Sequence, residues 1–322
     1  MTPATVPEAD RLPAHGNRLK GSGAAKDPGS WSGQVDYPEV IDDPTLNDYS
    51  RRDMGTASSS ATVGPLMREW RERRRLTQLA LALEAGVSAR HLSFIETGRS
   101  KPGRELLLRV AERLNIPFRE RNHLLLAAGH APAFPERPLR DPALAAVREA
   151  LDRILAVHDP YPAVVFDRAW NVVAVNAPMS ALTAHIEIDR ALLEPPVNVL
   201  RIGLHPRGLA PLIVNLAAWR GHFVERLAQQ IAITGDPDLR ALMDEVAAYP
   251  APEPENRVAA DAGGSEMLGP VRLRAPSGGE WSFFGMFANF DTPFEVTTSE
   301  LALELLFPAD RATAEAFKKG AP

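Results

Sequence analysis

The chain has 322 residues, 45% of them hydrophobic and 24% charged, which is enough for two or three domains with sizeable cores. It lacks cysteine, which excludes disulfide bonds, thiolate catalysis and cysteine-ligated zinc. A secretory signal and an apolar run of about 18 residues are also absent, so we expect a cytoplasmic protein without membrane contact. The net charge of −5 argues weakly against a nucleic-acid partner, but this average hides an uneven distribution.

The first 63 residues are predicted to be a disordered leader. They contain 19 Gly, Pro and Ser residues and show no sustained helical or strand period. Isolated aromatic residues such as Trp31 and Tyr37 do not change this prediction.

Residues 64–130 are predicted to form a compact helical domain. Apolar residues recur there at helical spacing, interrupted by Gly86, Gly98 and Pro102. The segment holds 13 Lys and Arg against 7 Asp and Glu, a balance of +6, while the rest holds 23 basic and 34 acidic residues, a balance of −11. This asymmetry is typical of a protein in which one domain meets phosphate, although a solvated, arginine-rich helix surface would give the same numbers.

The spacing at the start of this domain predicts two helices and a tight turn. The first helix is expected over residues 66–75, and it is rich in arginine. Thr77 is a plausible N-cap for a second helix that runs to Ala85. Gly86 suits the positive φ of the turn that follows.

A third helix is predicted to present one face to a partner. Ser88 caps it, and Leu92 and Ile95 form its buried stripe. A helix presented in this way can enter the major groove of DNA, which admits one α-helix. The residues expected to project from it are Ala89, Arg90, His91, Ser93 and Phe94.

The order of residues is more specific than the helix pattern. It runs Thr77-Gln78, Leu81-Ala82, Ala85-Gly86-Val87-Ser88 and Leu92-Ser93-Phe94-Ile95-Glu96-Thr97-Gly98. This order strongly resembles the phage-repressor-like helix-turn-helix family (XRE, or Cro-type). The resemblance implies a five-helix domain that binds double-stranded DNA, a phosphate contact by Gln78 and an Arg71–Glu96 ion pair between helices. The family often has Glu shortly after this Gln, whereas Leu79 and Ala80 stand here.

Arg90 is the best single candidate for base recognition. A guanidinium can donate two hydrogen bonds to guanine, which discriminates between bases by about 1–3 kcal/mol. A phosphate contact that positions the helix without specifying a base is an equally open interpretation. The full set of predicted DNA-contacting residues is Gln78, Ser88, Ala89, Arg90, His91, Ser93, Phe94, Arg99 and Lys101.

A stiff, proline-containing linker is predicted over residues 131–140, followed by a second domain over residues 141–317. This domain mixes helical and β-rich patterns. In chain order the predicted elements are a helix that starts at Asp141-Pro142 and ends before His158, strands at 163–166 and 170–175, a mainly helical stretch at 177–249 with a further start at Asp236-Pro237, strands at 271–274 and 280–290, and a last helix at about 299–307.

The second domain shows no catalytic constellation. There is no His-x-x-x-His, no paired-carboxylate spacing and no Gly-x-Ser-x-Gly, and the histidines are scattered. We therefore predict neither catalytic residues nor a metal site. The domain is rich in aromatic residues, which most simply form a core. A sheet covered by helices could also enclose an apolar ligand cavity, but spacing alone favours a core.

A second resemblance concerns this domain. It is carried by the segment from Tyr161 to Ala177 (YPAVVFDRAWNVVAVNA), by Asn198-Val199-Leu200-Arg201 with His205-Pro206, by Glu304-Leu305-Leu306-Phe307-Pro308-Ala309-Asp310, and by the linker Leu126-Ala127-Ala128-Gly129-His130-Ala131-Pro132. These segments resemble the MmyB-like ligand-binding domain. The resemblance implies a bacterial regulator with a PAS-like domain that binds a small, fatty-acid-like molecule. The family usually has Asn-Trp where Asn215-Leu216 stands here, which alters any pocket wall formed by that Trp.

The predicted fold is thus multidomain, α and α+β: an all-α five-helix helix-turn-helix domain followed by a PAS-like antiparallel sheet covered by helices. The leading hypothesis is a nucleoid-associated homodimer that binds an operator and responds to a small apolar or fatty-acid-like effector, with no other cofactor. A regulator whose second domain only dimerises and an enzyme with a DNA-binding tether are the alternatives. The candidate pocket residues are Val165, Val173, Trp219, Phe223, Phe284 and Met286.

Overall fold

The computed structural model describes residues 35–36, 62–184, 186–250, 269–276, 278–290 and 295–320. Five helices form the first domain, as predicted. They are α1 (Val63–Arg73), α2 (Gln78–Ala85), α3 (Ala89–Glu96), α4 (Arg104–Arg113) and α5 (Phe118–Ala127). Each contributes fully buried apolar side chains to one core, among them Met67, Leu81, Leu92, Leu107 and Leu124.

Local signals set the ends of α2 and α3. The Thr77 hydroxyl accepts a hydrogen bond of 3.1 Å from the Ala80 N–H, and the Ser88 hydroxyl accepts one of 3.1 Å from the His91 N–H. Gly86 has a φ of 69°, a backbone conformation that costs glycine little. The predicted caps and turn are therefore confirmed. Helix α1 begins three residues before its predicted start, at Val63, and ends at Arg73.

An ion pair joins α1 to α3 inside the first domain. Arg71 Nε and Nη2 donate to the two carboxylate oxygens of Glu96 at 2.7 and 3.0 Å. Both residues are buried. The Gln78 amide donates to the same carboxylate at 2.8 Å, so three helices meet at Glu96. The pairing of Arg71 with Glu96 follows the expectation from the resemblance.

The second domain is built on one antiparallel sheet, which confirms the predicted α+β architecture. The strand order is β1-β3-β2-β6-β5-β4, and all neighbouring strands run antiparallel. The strands are β1 (Val35–Asp36), β2 (Ala163–Phe166), β3 (Val172–Asn176), β4 (Val271–Arg274), β5 (Glu280–Asn289) and β6 (Ala302–Pro308).

Helices cover the two faces of this sheet unequally. On one side, here called the outer face, α6 (Ala145–Val157) packs Leu151 and Leu155 against Val165 and Leu303. Most of the other helices lie on the opposite side, the inner face, where α9 (Leu216–Thr234) packs Phe223 and Leu227 near β2. The remaining helices are α7 (Ala177–Ala184), α8 (Val199–Leu204), α9 (Leu216–Thr234), α10 (Pro237–Ala248), α11 (Val296–Glu300) and α12 (Arg311–Lys318).

The predicted last helix at 299–307 is wrong. Helix α11 ends at Glu300, and the following residues form β6, which lies between β2 and β5. An interior strand that is buried on both faces has a continuous apolar sequence. A buried helix can have the same sequence, so a short apolar run does not distinguish a strand from a helix. The true last helix is α12, beyond Asp310.

The predicted hairpin also places Trp170 wrongly, in its second strand. It lies in the turn between β2 and β3 with a φ of 68°, not in a strand. Asp167 holds this turn, since its carboxylate accepts hydrogen bonds from the Ala169 and Asn171 N–H groups. A bulky residue in the left-handed region costs about 1–3 kcal/mol, so the surrounding contacts of Trp170 must offset this strain.

Val35 and Asp36 fall within the predicted leader and pair with β3. The other residues of that leader up to residue 61 lie outside the described residues, as does Ser277 in the predicted turn before β5. Among the described residues no helix is both long and apolar enough to cross a membrane. The same part of the chain holds no group of three or more His, Asp or Glu side chains suited to a metal ion.

Candidate functional site

Helix α3 carries a basic and aromatic surface. Arg90 is exposed, and its Cζ atom lies 5.3 Å from the centroid of the Phe94 ring. Arg99, just past the helix, places its Cζ atom 5.9 Å from the same centroid. Phe94 thus lies between two guanidinium groups, and cation–π attraction keeps both on the outward side of α3. Lys101 is exposed as well.

The other predicted contact residues have additional structural roles. Ser88 caps α3, and Gln78 is half-buried with its amide bound to Glu96. Ala89 does not project fully from the domain, because it is partly buried against the core. His91 and Ser93 are half-buried on α3. The contacts of all these residues with DNA stay a prediction.

Arginines of α1 serve contacts within the chain. Arg74 donates to the Leu114 carbonyl at 2.8 Å, and Arg73 donates to the Thr234 carbonyl of the second domain at 2.8 Å. Part of the positive charge of the first domain is therefore bound to backbone carbonyl groups of the same chain. Arg90, Arg99 and Lys101, on and just past α3, are exposed instead.

The inner face of the second domain holds a cluster of aromatic rings. Phe166 and Trp170 stack with centroids 4.9 Å apart and an interplanar angle of 8°. Phe223 of α9 meets Trp170 edge-on at 5.6 Å and Trp219 at 4.7 Å. Phe287 of β5 meets Phe166 edge-on at 5.9 Å. Five rings from the sheet, the β2–β3 turn and one helix therefore share a single apolar region.

Two charged residues lie in this aromatic region. The Arg226 Cζ atom is 3.7 Å from the centroid of Phe287. Glu304 on β6 is 4% exposed and accepts no hydrogen bond from the described residues. Burial raises the pKa of Glu304 to about 7, against the opposing effect of the Arg226 charge. The sequence did not reveal this pair, because Glu304 falls within the wrongly predicted last helix.

The six candidate pocket residues do not line one cavity. Side chains alternate between the two faces of a strand, and this alternation separates the six. Val165 and Val173 contact the outer-face core, while Phe284 and Met286 are 51% and 47% exposed on that same side. Only Trp219 and Phe223 belong to the inner-face aromatic cluster. The six residues therefore do not form the single pocket that was predicted from the sequence.

An ion-pair cluster joins the two domains. Arg119 of α5 donates two hydrogen bonds of 2.8 Å to the carboxylate of Glu300 in α11 and one of 2.6 Å to Glu136. The linker is fixed at the same place, since the Val296 N–H donates to the Pro135 carbonyl at 2.9 Å. Nothing in the sequence marks Arg119 and Glu300 as partners, because 181 residues separate them.

The comparisons with known proteins cover both domains. Residues 147–319 match the MmyB-like transcription regulator ligand binding domain, and residues 67–121 match a helix-turn-helix family. The chain is 34% identical over 115 residues to the uncharacterized HTH-type transcriptional regulator RghRB of Bacillus subtilis (strain 168). That alignment covers 35% of this chain and 74% of the relative.

Two solved structures show weaker likeness. The clp gene regulator ClgR from Corynebacterium glutamicum is 28% identical, with 30% of this chain and 90% of that chain covered and a TM-score of 0.19. An RNA-binding light-oxygen-voltage receptor is 13% identical, with 85% of this chain and 66% of that chain covered and a TM-score of 0.21. Both TM-scores are low.

Proposed function

The chain belongs to the MmyB-like transcription regulators, and from this premise we propose that it is a homodimeric, sequence-specific DNA-binding regulator controlled by a small, mainly apolar effector. Helix α3 acts as the recognition helix, with Arg90 at base edges and Arg99 and Lys101 at phosphates. The effector occupies the second domain and changes the affinity of the dimer for its operator.

The attachment of the two domains carries this proposal. Arg119 binds Glu300 in the segment that leads directly into β6, and Arg73 binds the carbonyl of Thr234 at the end of α9. A rearrangement of β6 or α9 around an effector therefore acts on α5 and α1. Coupling between two sites needs such differential contacts, since an effector shifts an equilibrium only by its preference for one state.

The test is a selection of bound sequences from random duplex DNA with the full chain. We expect enrichment of two inverted half-sites whose centres lie about 34 Å apart, or a multiple of that turn, because a two-fold dimer presents two recognition helices. Light scattering should report a dimer. Failure to enrich any sequence would overturn the proposal.

Effector control is tested on the same protein. Solvent extraction of the purified full chain, followed by mass spectrometry, should release a small molecule, and its removal should change operator affinity. A core that releases nothing and an affinity that extraction and refolding leave unchanged would mean that the second domain only dimerises.

A further inference from the structure

Glu304 is a buried acidic side chain without a local partner. On β6 it pairs with Phe287 of β5 and Val164 of β2. Its carboxylate leans over Gly285, where an added Cβ atom would lie 3.1 Å from Oε1. The missing side chain of Gly285 therefore leaves the space that the carboxylate occupies. Burying a carboxylate without hydrogen bonds is costly, so this position calls for a partner.

Arg226 faces the same region from α9 but does not supply that partner. Its guanidinium lies over Phe287, and no ion pair between Arg226 and Glu304 forms among the described residues. The Arg226 Cζ atom also lies 5.9 Å from the centroid of the Trp170 ring. A cation and an anion thus lie near the same aromatic rings without contact between them.

We propose that Arg226 and Glu304 are the two polar anchors of the effector site, and that the effector is a neutral, ring-containing molecule with adjacent hydrogen-bond donor and acceptor groups, as in a carboxamide. This inference rests on the proposed effector control and specifies its site and ligand class.

The charges of the two anchors select a neutral group. A carboxylate would bring a second negative charge to Glu304, and an ammonium group would bring a second positive charge to Arg226. A carboxamide satisfies both, because its N–H donates to the Glu304 carboxylate and its carbonyl accepts from the Arg226 guanidinium.

The aromatic rings around the two anchors favour a ring over a flexible chain as the apolar part of the effector. Phe166 and Trp170 are stacked nearly parallel, while Phe223 and Phe287 present their rings edge-on to this pair. Planar rings gain from such arrangements beyond the area they bury. The hydrogen bond of 2.9 Å from Trp170 Nε1 to Gln230 fixes the orientation of the central ring.

One anchor lies on an element that touches the DNA-binding domain, and the other lies close in sequence to such an element. Arg226 is on α9, whose last residue Thr234 accepts a hydrogen bond from Arg73. Glu304 follows Glu300, the partner of Arg119, by four residues. A ligand that draws Arg226 and Glu304 together therefore acts on both contacts at once.

Three probes of one size and different charge test the ligand class: naphthaleneacetamide, naphthaleneacetate and naphthaleneethylamine. Calorimetric titration of the full chain is done at mildly alkaline pH, where Glu304 is ionised. We expect the neutral amide to bind at least about tenfold more tightly than the anion or the cation. Equal or tighter binding of the acid or the amine, or no binding of any probe, would overturn the proposal.

Variants locate the binding site. Glu304→Gln and Arg226→Met should each weaken binding of the amide by about tenfold or more, whereas Met286→Ala on the outer face should leave it unchanged. Circular dichroism checks that each variant is folded. Unchanged amide binding in both anchor variants would contradict the inference. Operator binding is measured separately, so loss of this inference with intact operator binding leaves the proposed DNA-binding function standing.

Discussion

The guanidinium of Arg119 donates one hydrogen bond to each carboxylate oxygen of Glu300, and the donor–acceptor distance is 2.8 Å in both. The Arg119 side chain is 9% exposed and that of Glu300 is 17% exposed, so water screens the pair weakly. Arg119 belongs to the helix-turn-helix domain and Glu300 to the ligand-binding domain. This one contact therefore couples the placement of α5 to the start of β6.

Arg119→Met should loosen the attachment of the domains. It removes the cation bound to Glu136 and leaves Glu300 with only the longer contact of 3.9 Å to Arg168. Breaking a buried pair costs about 3–5 kcal/mol. Val296 and Thr297 of α11 donate hydrogen bonds to the carbonyls of Pro135 and Arg137 in the linker. These contacts should loosen with the pair, so trypsin should cut at Arg137 or Arg140 at least about tenfold faster. Cleavage sites are identified by mass spectrometry.

Arg109→Met is the matched control for this variant. Arg109 lies in the same domain, and its pair with Glu105 is exposed at both ends. Exposed pairs contribute about 0–1 kcal/mol, so linker cleavage should stay at the rate of the parent chain. Equal cleavage rates in the Arg119 and Arg109 variants would show that the inter-domain pair does not hold the linker.

Arg71→Met should destabilise the helix-turn-helix domain. Arg71 and Glu96 form a two-point pair in which the Glu96 side chain is 1% exposed, so removal of the arginine leaves a buried carboxylate. We expect a loss of about 3–5 kcal/mol in the free energy of unfolding, measured by urea denaturation. Arg68→Met, which breaks the exposed Arg68–Glu72 pair, should cost at most about 1 kcal/mol. A similar loss in the two variants would contradict the structural role of the Arg71–Glu96 pair.

Glu304 should make the stability of the chain depend on pH. Burial raises the pKa of this carboxyl to about 7, whereas its ordinary value in an unfolded chain is about 4.3. Between these pH values the folded state binds more protons than the unfolded state, so this contribution to stability falls as pH rises and then levels off above about 7. Glu304→Gln should remove this fall, and the variant should be more stable than the parent chain by roughly 3–4 kcal/mol at alkaline pH.

Glu245→Gln provides the opposite sign in the same experiment. The hydrogen bond from Arg201 lowers the pKa of Glu245, so its stabilising contribution is present above the unfolded pKa and is lost as pH falls. Unfolding curves recorded at a series of pH values compare both variants with the parent chain. If the Glu304→Gln curve runs parallel to that of the parent chain, Glu304 is not the buried acid described here.

The first domain was predictable from sequence because its decisive signals are local. Thr77, Gly86 and Ser88 each act within three or four residues along the chain, and each has the predicted cap or turn geometry. The order of residues around them was sufficient for the family resemblance.

The second domain was less predictable because its site depends on which side of the sheet each residue faces. Val165 and Phe223 are both buried and apolar, yet they lie on opposite faces. The run from Leu301 to Phe307 has a strand, not a helix, at its centre, and the single acidic residue in that run, Glu304, was the available signal for a polar site. The contact of Arg119 with Glu300 and that of Arg226 with Phe287 arise from tertiary packing, which no local pattern encodes.

The most direct test of the central claim, that α3 recognises specific bases, is a bound-sequence selection with the full chain and two variants. Arg90→Ala should relax the preference at one base pair of each half-site, with a loss of about 1–3 kcal/mol on the parent operator. Lys101→Ala, the control, should weaken binding to all sequences alike and reduce the salt dependence by about one counterion. If Arg90→Ala leaves both the affinity and the selected sequence unchanged, α3 is not the recognition helix.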